Sequence, residues 1–207
     1  MDNPILRMKT HEIIIHWFHL LFFMILLITG LLLFVPRFLP FWGEIVKGTI
    51  WTKKVHHICA FPFMFILPFM AWMFWKPCKW EEGDFTWITR GGGYIGHLFK
   101  NVPEAGEFNA GQKLFYYFTV LSGIVFTISG IIMWQAHSMP PALVRWMYVA
   151  HDCAMLLVVL FFVAHVYLSS IGAPGSIQLL FNGKVSHKWA RLHHPRWYKE
   201  LKKKGLI

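Results

Sequence analysis

Charged residues are scarce in this 207-residue chain: they make up 14% of it, against 56% hydrophobic residues. Soluble domains carry roughly 25% charged residues, so the composition excludes an ordinary soluble protein and indicates a membrane protein. Acidic residues are the rarest, ten against twenty Lys and Arg, which gives a formal net charge of +10. Since no nucleic-acid-binding motif is present, lipid headgroups or an acidic partner surface explain this charge better than nucleic acid does.

Cysteine is rare as well, with three residues at Cys59, Cys78 and Cys153. They form no CxxC pair, no CxxCH site for covalent haem attachment and no disulfide framework. Two of them lie in or at the edge of apolar segments, where we expect small buried hydrophobic residues. Internal repeats are absent, and every polar segment is shorter than an independent domain usually needs. We therefore predict a single membrane domain over residues 1–207.

Four apolar runs are long enough to cross a hydrocarbon core, which takes roughly 20 helical residues. They cover residues 13–35, 56–75, 114–134 and 149–171, and they predict an all-α bundle of four transmembrane helices. The first run is too long for the core of a signal peptide and lacks a small-residue cleavage site before Pro36, so we expect it to remain in the mature protein.

The basic residues are distributed unevenly between the two sides of such a bundle. Fifteen of the twenty Lys and Arg lie in the N-terminal segment, the middle loop and the tail at 174–207, which share one side. The positive-inside rule therefore predicts that both termini are cytoplasmic. The middle loop, residues 76–113, is the longest connection, and loops of this length are often functional.

Histidine is abundant, with twelve residues, and the most informative pair is His151 and His165 in the last apolar run. Fourteen helical residues turn through about 1400°, so the two side chains lie within about 40° of one face and about 21 Å apart along the axis. Without water, each buried imidazole must satisfy two ring nitrogens. Each therefore needs a partner at its own depth.

The first two apolar runs contain histidines at both depths. The first run starts on the side of the membrane where the last run ends. His16, or His19 one turn later, therefore lies at the depth of His165. The second run starts on the same side as the last run, so His56 or His57 lies at the depth of His151. Adjacent helical residues point about 100° apart, and this geometry leaves His56 and His57 equally good.

Paired imidazoles on opposite faces of a flat ring are the ligands of six-coordinate haem iron, which has no open site for oxygen chemistry. We interpret the histidines as ligands of two haems that transfer electrons. Zinc fits less well, because each pair supplies two ligands and no cysteine or carboxylate cluster joins both. The alternatives are core histidines bonded to neighbouring helices and a proton relay in a cofactor-free anchor or transporter subunit.

Several other residues in the apolar runs have two explanations each. Gly30, Gly123 and Gly130 lie where a flat cofactor would need missing side chains, and ordinary small-residue helix packing explains them equally well. Asp152 can hydrogen-bond a ligand imidazole or lie at the membrane interface. Arg145 can pair with haem propionates or mark that interface.

The tail "GSIQLLFNGKVSHKWARLHHPRWYKE", the loop motif "NAGQK", the "HW" at 16–17 and the histidine spacing together resemble the cytochrome b (gamma) subunit of membrane-bound respiratory formate dehydrogenase. The resemblance covers essentially the whole chain, and the tail and "NAGQK" are its most specific parts. The histidine pattern alone is also shared by cytochrome b subunits of nickel-iron hydrogenases and thiosulfate reductases, which remain alternatives.

This resemblance implies a ligand set. A cytoplasmic-side haem b would be held by His16 and His165, and an outer haem b by His56 and His151. It also favours His56 over the adjacent His57. The order of the pairs agrees with the depth argument made from the spacing.

The resemblance further implies that menaquinone or another quinone is reduced near the cytoplasmic haem, at a site that comprises Asn109, Gly111, Gln112 and His165. Amide side chains at a loop-to-helix junction can donate hydrogen bonds to a quinone carbonyl. Asn109 also suits the cap of the third helix, and both roles can coexist. The implied partners are an iron–sulfur (beta) subunit and a molybdenum- or tungsten-containing catalytic (alpha) subunit. The implied location is the bacterial cytoplasmic membrane. The resemblance also allows a higher oligomer of the complex.

Overall fold

The computed structural model describes residues 3–38, 49–93 and 101–207. Parts of the predicted first outer loop and of the middle loop, residues 39–48 and 94–100, lie outside the described residues. In chain order the elements are β1 (Ile5–Leu6), α1 (Thr10–Phe34), α2 (Thr49–Phe74), α3 (Asp84–Thr89), α4 (Ala110–Trp134), α5 (Pro141–Ser170), α6 (Leu179–Asn182), β2 (Lys184–Val185), α7 (His187–His193) and α8 (Pro195–Lys203). Three short 3-10 turns are Val35–Arg37, Gly91–Gly93 and Ala136–Ser138.

Four of these helices, α1, α2, α4 and α5, are long and apolar enough to cross a membrane. This confirms the prediction of four spans, and the chain is a multi-pass membrane protein. Many large apolar side chains on these helices face outward, for example Phe65 at 75% and Leu160 at 65% exposure. In a bilayer such surfaces are covered by lipid, and the helices satisfy their own backbone groups.

All four long helices begin earlier than the apolar runs predicted. α5 begins at Pro141 instead of residue 149, because a proline without an N–H group is well suited to the first helical turn. α2 begins at Thr49 instead of residue 56, since the charged ends of Lys53 and Lys54 can reach water while their stems stay on the helix. Hydropathy thus marks the part of a helix that crosses the lipid and misses its polar ends.

The chain contacts divide into two compact units. One, which we call the terminal unit, consists of Met1–Ile13, Ala71–Thr119 and Phe161–Ile207. The other, the span unit, consists of Ile14–Met70 and Val120–Leu160.

The terminal unit joins the N-terminal segment to the tail. β1 pairs with β2 in antiparallel register, with Ile5 opposite Val185. Gly183 precedes β2 at φ +70°, a conformation that favours glycine, and its carbonyl accepts hydrogen bonds from two backbone N–H groups of the N-terminal segment. The hydrophobic core of the terminal unit contains Ile5, Val185, Trp189, Ala190, Trp197 and Tyr198.

Arg7 sits among aromatic rings of the same unit. Its guanidinium lies 5.0 to 5.4 Å from the ring centroids of Phe108, Trp189 and Trp197, within the range of cation–π attraction. One of its nitrogens donates to the carbonyl oxygen of Glu107. These contacts hold the segment before α1 against both the middle loop and the tail.

Candidate functional site

Two histidines of the span unit lie close together. The ring centroids of His56, on α2, and His151, on α5, are 6.4 Å apart, with their planes at 58°. Two imidazoles that bind on opposite sides of one metal ion, at about 2.0 Å per bond, have centroids about 6.3 Å apart. The spacing of this pair therefore fits a metal held between two histidines.

Each of these imidazoles has a hydroxyl partner on another helix. Thr29 Oγ1 lies 2.8 Å from Nδ1 of His56, and Ser129 Oγ lies 2.8 Å from Nδ1 of His151. Both hydroxyl residues are buried, at 8% and 1% exposure. Sequence reasoning missed them. The signal that could have found them is that each precedes one of the glycines singled out in the apolar runs.

Those two glycines lie beside the imidazoles. A Cβ at Gly30 would sit 3.6 Å from Cε1 of His56, and a Cβ at Gly130 would sit 3.9 Å from Cε1 of His151. At the third glycine, Gly123, a Cβ would collide with the side chain of Leu67. The first two thus leave space next to the histidine pair, whereas the third allows close packing of α2 and α4.

His57 points elsewhere. Its ring centroid lies 5.2 Å from that of Trp134, with the planes at 31°. His151 instead has Phe126 at its edge, at 5.0 Å between centroids. The structure therefore brings His56 towards His151 and directs His57 to the end of α4.

His16 and His19 lie nearer the start of α1, in the span unit. Nδ1 of His16 and Nε2 of His19 are buried and have no hydrogen-bond partner among the described residues. The His19 ring stacks on Phe63 at 5.0 Å. Buried polar atoms of this kind are uncommon in native proteins and call for an explanation such as a ligand, so both histidines remain candidates.

In the terminal unit, His165 stacks on Phe115, with centroids 4.4 Å apart and planes at 7°. Phe115 lies on α4, three residues after Gln112. The structure thus places His165 about one helical turn from the "NAGQK" motif, as measured along α4.

The "NAGQK" motif forms a reciprocal helix cap. Gln112 N donates to Oδ1 of Asn109 at 2.9 Å, and Asn109 N donates to Oε1 of Gln112 at 3.0 Å. The cap predicted as one role of Asn109 is therefore present, and it explains why α4 begins at Ala110 and not at residue 114. Because the cap uses the side-chain oxygens, the amide NH₂ groups remain as donors. Gly111 leaves room beside Trp87, whose ring a Cβ would approach to 3.3 Å.

The lysine of the same motif is an unexpected centre of charge. Lys113 is 1% exposed, and its ammonium lies 2.9 Å from Asp84 and 3.0 Å from Glu81. Arg196 of the tail also contacts Glu81. Burial alone would raise the pKa of Glu81, but the hydrogen bonds and charges of Arg196 and Lys113 outweigh burial and lower the pKa. Sequence reasoning singled out "NAGQK" but did not pair its lysine with the acidic residues at 81 and 84.

Comparison with known proteins gives matches along nearly the whole chain. Residues 7–183 match the family model of prokaryotic cytochrome b561. The chain is 30% identical over 210 residues to the formate dehydrogenase cytochrome b556 subunit of Haemophilus influenzae, which covers 96% of this chain and 84% of that one. It is 28% identical over 213 residues to the cytochrome b556(Fdn) subunit of the nitrate-inducible formate dehydrogenase of Escherichia coli, covering 98% and 94%. It is 26% identical over 211 residues to the cytochrome b556(fdo) subunit of formate dehydrogenase from the same species, covering 97% and 95%.

Proposed function

Because this chain belongs to the prokaryotic cytochrome b561 family, we propose that it is the cytochrome b subunit of a formate dehydrogenase complex. The relatives in Haemophilus influenzae and Escherichia coli carry that name and align over nearly the whole chain. In this proposal the chain accepts electrons from an iron–sulfur subunit and delivers them to menaquinone or another quinone. A separate molybdenum- or tungsten-containing subunit oxidises formate.

The observation that carries the proposal is the pairing of His56 with His151. Their spacing of 6.4 Å, the hydroxyl on each Nδ1 and the glycine beside each ring fit a bis-histidine haem b site. We assign these two histidines to one haem. We assign His16 and His165 to a second, on the basis of the "HW" motif and the fourteen-residue spacing on α5.

Haem b, when bound, supplies one-electron chemistry at an iron with no open coordination site. The chain's own residues do the rest. His56 and His151 would hold the iron, and the apolar side chains of α1, α2, α4 and α5 would keep water away from it. Gly30 and Gly130 leave space beside the two imidazoles.

For the quinone site we propose Asn109, Gly111, Gln112 and His165. The amide nitrogens of the cap can donate to a carbonyl oxygen of the quinone. The cap lies at the start of α4, next to the middle loop, and this position gives the quinone site access to water for proton uptake. We place this end, together with both termini, on the cytoplasmic side of the bacterial inner membrane because fifteen of the twenty Lys and Arg lie there.

The haem assignment is tested on the purified chain by pyridine haemochrome quantification and a reduced-minus-oxidised spectrum. We expect two haems per chain. H56A and H151A should each lose the same haem and keep the other. H57A is the matched control and should keep both, since the ring of His57 lies against Trp134. One haem per wild-type chain, or haem loss in H57A equal to that in H56A, would refute the assignment.

The identity of the partner needs a separate experiment. A tagged chain isolated from its native membrane should carry a molybdenum or tungsten subunit, and formate should reduce its alpha bands. Isolation with nickel-iron hydrogenase subunits, and reduction by hydrogen instead of formate, would support the alternative function. Retention of full haem in an H56A/H151A double variant would overturn the cytochrome assignment and favour the proton relay.

A further inference from the structure

Thr29 and Ser129 contact the two proposed ligands in the same way from two different helices. Each hydroxyl oxygen lies 2.8 Å from Nδ1 of its histidine, His56 or His151. Each hydroxyl residue is followed by a glycine, and that glycine lies beside the imidazole that the hydroxyl contacts. The arrangement therefore occurs twice around one pair of rings.

The direction of these hydrogen bonds follows from the proton count. A serine or threonine hydroxyl has one proton to donate. Thr29 lies 2.7 Å from the carbonyl oxygen of Ile25, and Ser129 lies 2.6 Å from that of Val125, and these carbonyls can only accept. Each hydroxyl therefore donates within its own helix and accepts from the imidazole. The Nδ1 atoms carry the protons, and the lone pairs are on Nε2.

We propose that Thr29 and Ser129 are positioning residues, which select the Nδ1–H tautomer of His56 and His151 and fix the orientation of both rings for binding iron through Nε2. This inference rests on the proposed function, in which these histidines hold a haem. An acceptor on the outer N–H of a ligand imidazole raises its basicity. A more basic ligand stabilises ferric over ferrous iron, so the two hydroxyls lower the reduction potential of this haem.

The test removes each hydroxyl and measures that potential. T29V keeps the shape of the side chain, and S129A is a small change in a helix. Each variant should retain the haem, and its reduction potential should rise. We expect a three- to tenfold change in the relative affinity of the site for the two oxidation states, where tenfold corresponds to about 59 mV for one electron. The conservative variants T29S and S129T keep a hydroxyl and should stay near the wild-type potential.

Two controls separate this role from general packing. Ser170 also donates to a carbonyl of its own helix, that of Val166 at 2.5 Å, so S170A should leave both potentials unchanged. The second haem of the same chain serves as an internal reference in every variant. The g-values of the ferric haem provide a further readout, because they report how the two ligand rings are oriented.

The possible outcomes distinguish this inference from the proposed function. If T29V and S129A retain two haems with unchanged potentials and unchanged g-values, the inference is wrong and the haem assignment stands. If H56A and H151A retain both haems, the proposed function itself fails. If T29V does not accumulate, T29A and S129A still test the two hydroxyls on separate helices, and a lower potential in either would overturn the inference.

Discussion

The ion pairs of Lys113 predict a large loss of stability when this lysine is replaced. In K113M the methionine has a similar length, but it leaves the carboxylate of Asp84, whose side chain is 11% exposed, without its cation. Removing one partner of a buried ion pair costs about 3–5 kcal/mol, because the remaining charge is uncompensated. An exposed pair is worth about 0–1 kcal/mol.

The structure indicates that the loss of stability in K113M lies near the lower end of the range of about 3–5 kcal/mol for buried pairs. Asp84 still accepts the backbone N–H of Glu81 at 2.7 Å. The side chain of Glu81 is 48% exposed and keeps its contact with Arg196. We therefore expect a loss of about 3 kcal/mol, which is more than a hundredfold in the unfolding equilibrium, given about 1.36 kcal/mol per tenfold change.

The free energy of unfolding can be measured in detergent micelles, by titration with sodium dodecyl sulfate followed by far-UV circular dichroism. K199M is the matched control, since the ammonium of Lys199 lies 2.5 Å from Glu104 but its side chain is 67% exposed. It should cost no more than about 0.5 kcal/mol. The double variant K113M/D84N should recover most of the loss. Equal losses in K113M and K199M would refute the reasoning.

Three further predictions concern the terminal unit. Burial, with a smaller effect of Arg7, lowers the pKa of His194 from 6.5 to about 3. Since the unfolded state then binds more protons between these values, the contribution of His194 to stability should be constant above about pH 6.5 and fall towards pH 3, so that stability falls less steeply in H194N. G183A should cost about 2 kcal/mol or more in the same titration, because φ is positive and the new Cβ would collide with the carbonyl of Met8. Burial raises the pKa of Cys78 to about 12, so N-ethylmaleimide should modify this thiol at pH 8 only after unfolding.

Each of these has a comparison that can contradict it. An unchanged pH dependence in H194N would assign the effect to other groups. Gly205 has φ +66°, and no atom of the described residues lies within 4 Å of a Cβ there, so G205A carries the backbone strain alone and should cost less than G183A. Modification of Cys78 in the folded protein at the rate of the unfolded one would show that its thiol is accessible, although it is 2% exposed.

The sequence predicted the four spans because apolar length alone determines them. It did not predict β1, β2 or the short helices α6 to α8. Two-residue strands have almost no local stability, and they form here because Ile5 and Val185 are buried with Trp189 and Trp197 in one core. Such contacts join the two ends of the chain, and no local pattern contains them.

The candidate site divides in the same way. The histidine spacing predicts the faces and depths of the imidazoles, since both follow from the helical repeat. The partners Thr29 and Ser129 depend on how each neighbouring helix is rotated about its own axis, which the sequence alone does not fix. Lys113 was missed for a similar reason: its partner Asp84 is twenty-nine residues away, at the start of the short helix α3.

The imidazole of His56 depends on the hydroxyl of Thr29 for a hydrogen bond, but the hydroxyl does not depend on the imidazole. Thr29 is satisfied by the carbonyl of Ile25 whether or not His56 is present. His56, by contrast, needs an acceptor for Nδ1–H in surroundings that offer little water. Replacing His56 therefore leaves no polar group of Thr29 unsatisfied, whereas replacing Thr29 leaves the buried N–H of His56 without its acceptor. The hydroxyl thus acts on the ligand far more than the ligand acts on the hydroxyl, as expected of a residue whose role is to position an imidazole.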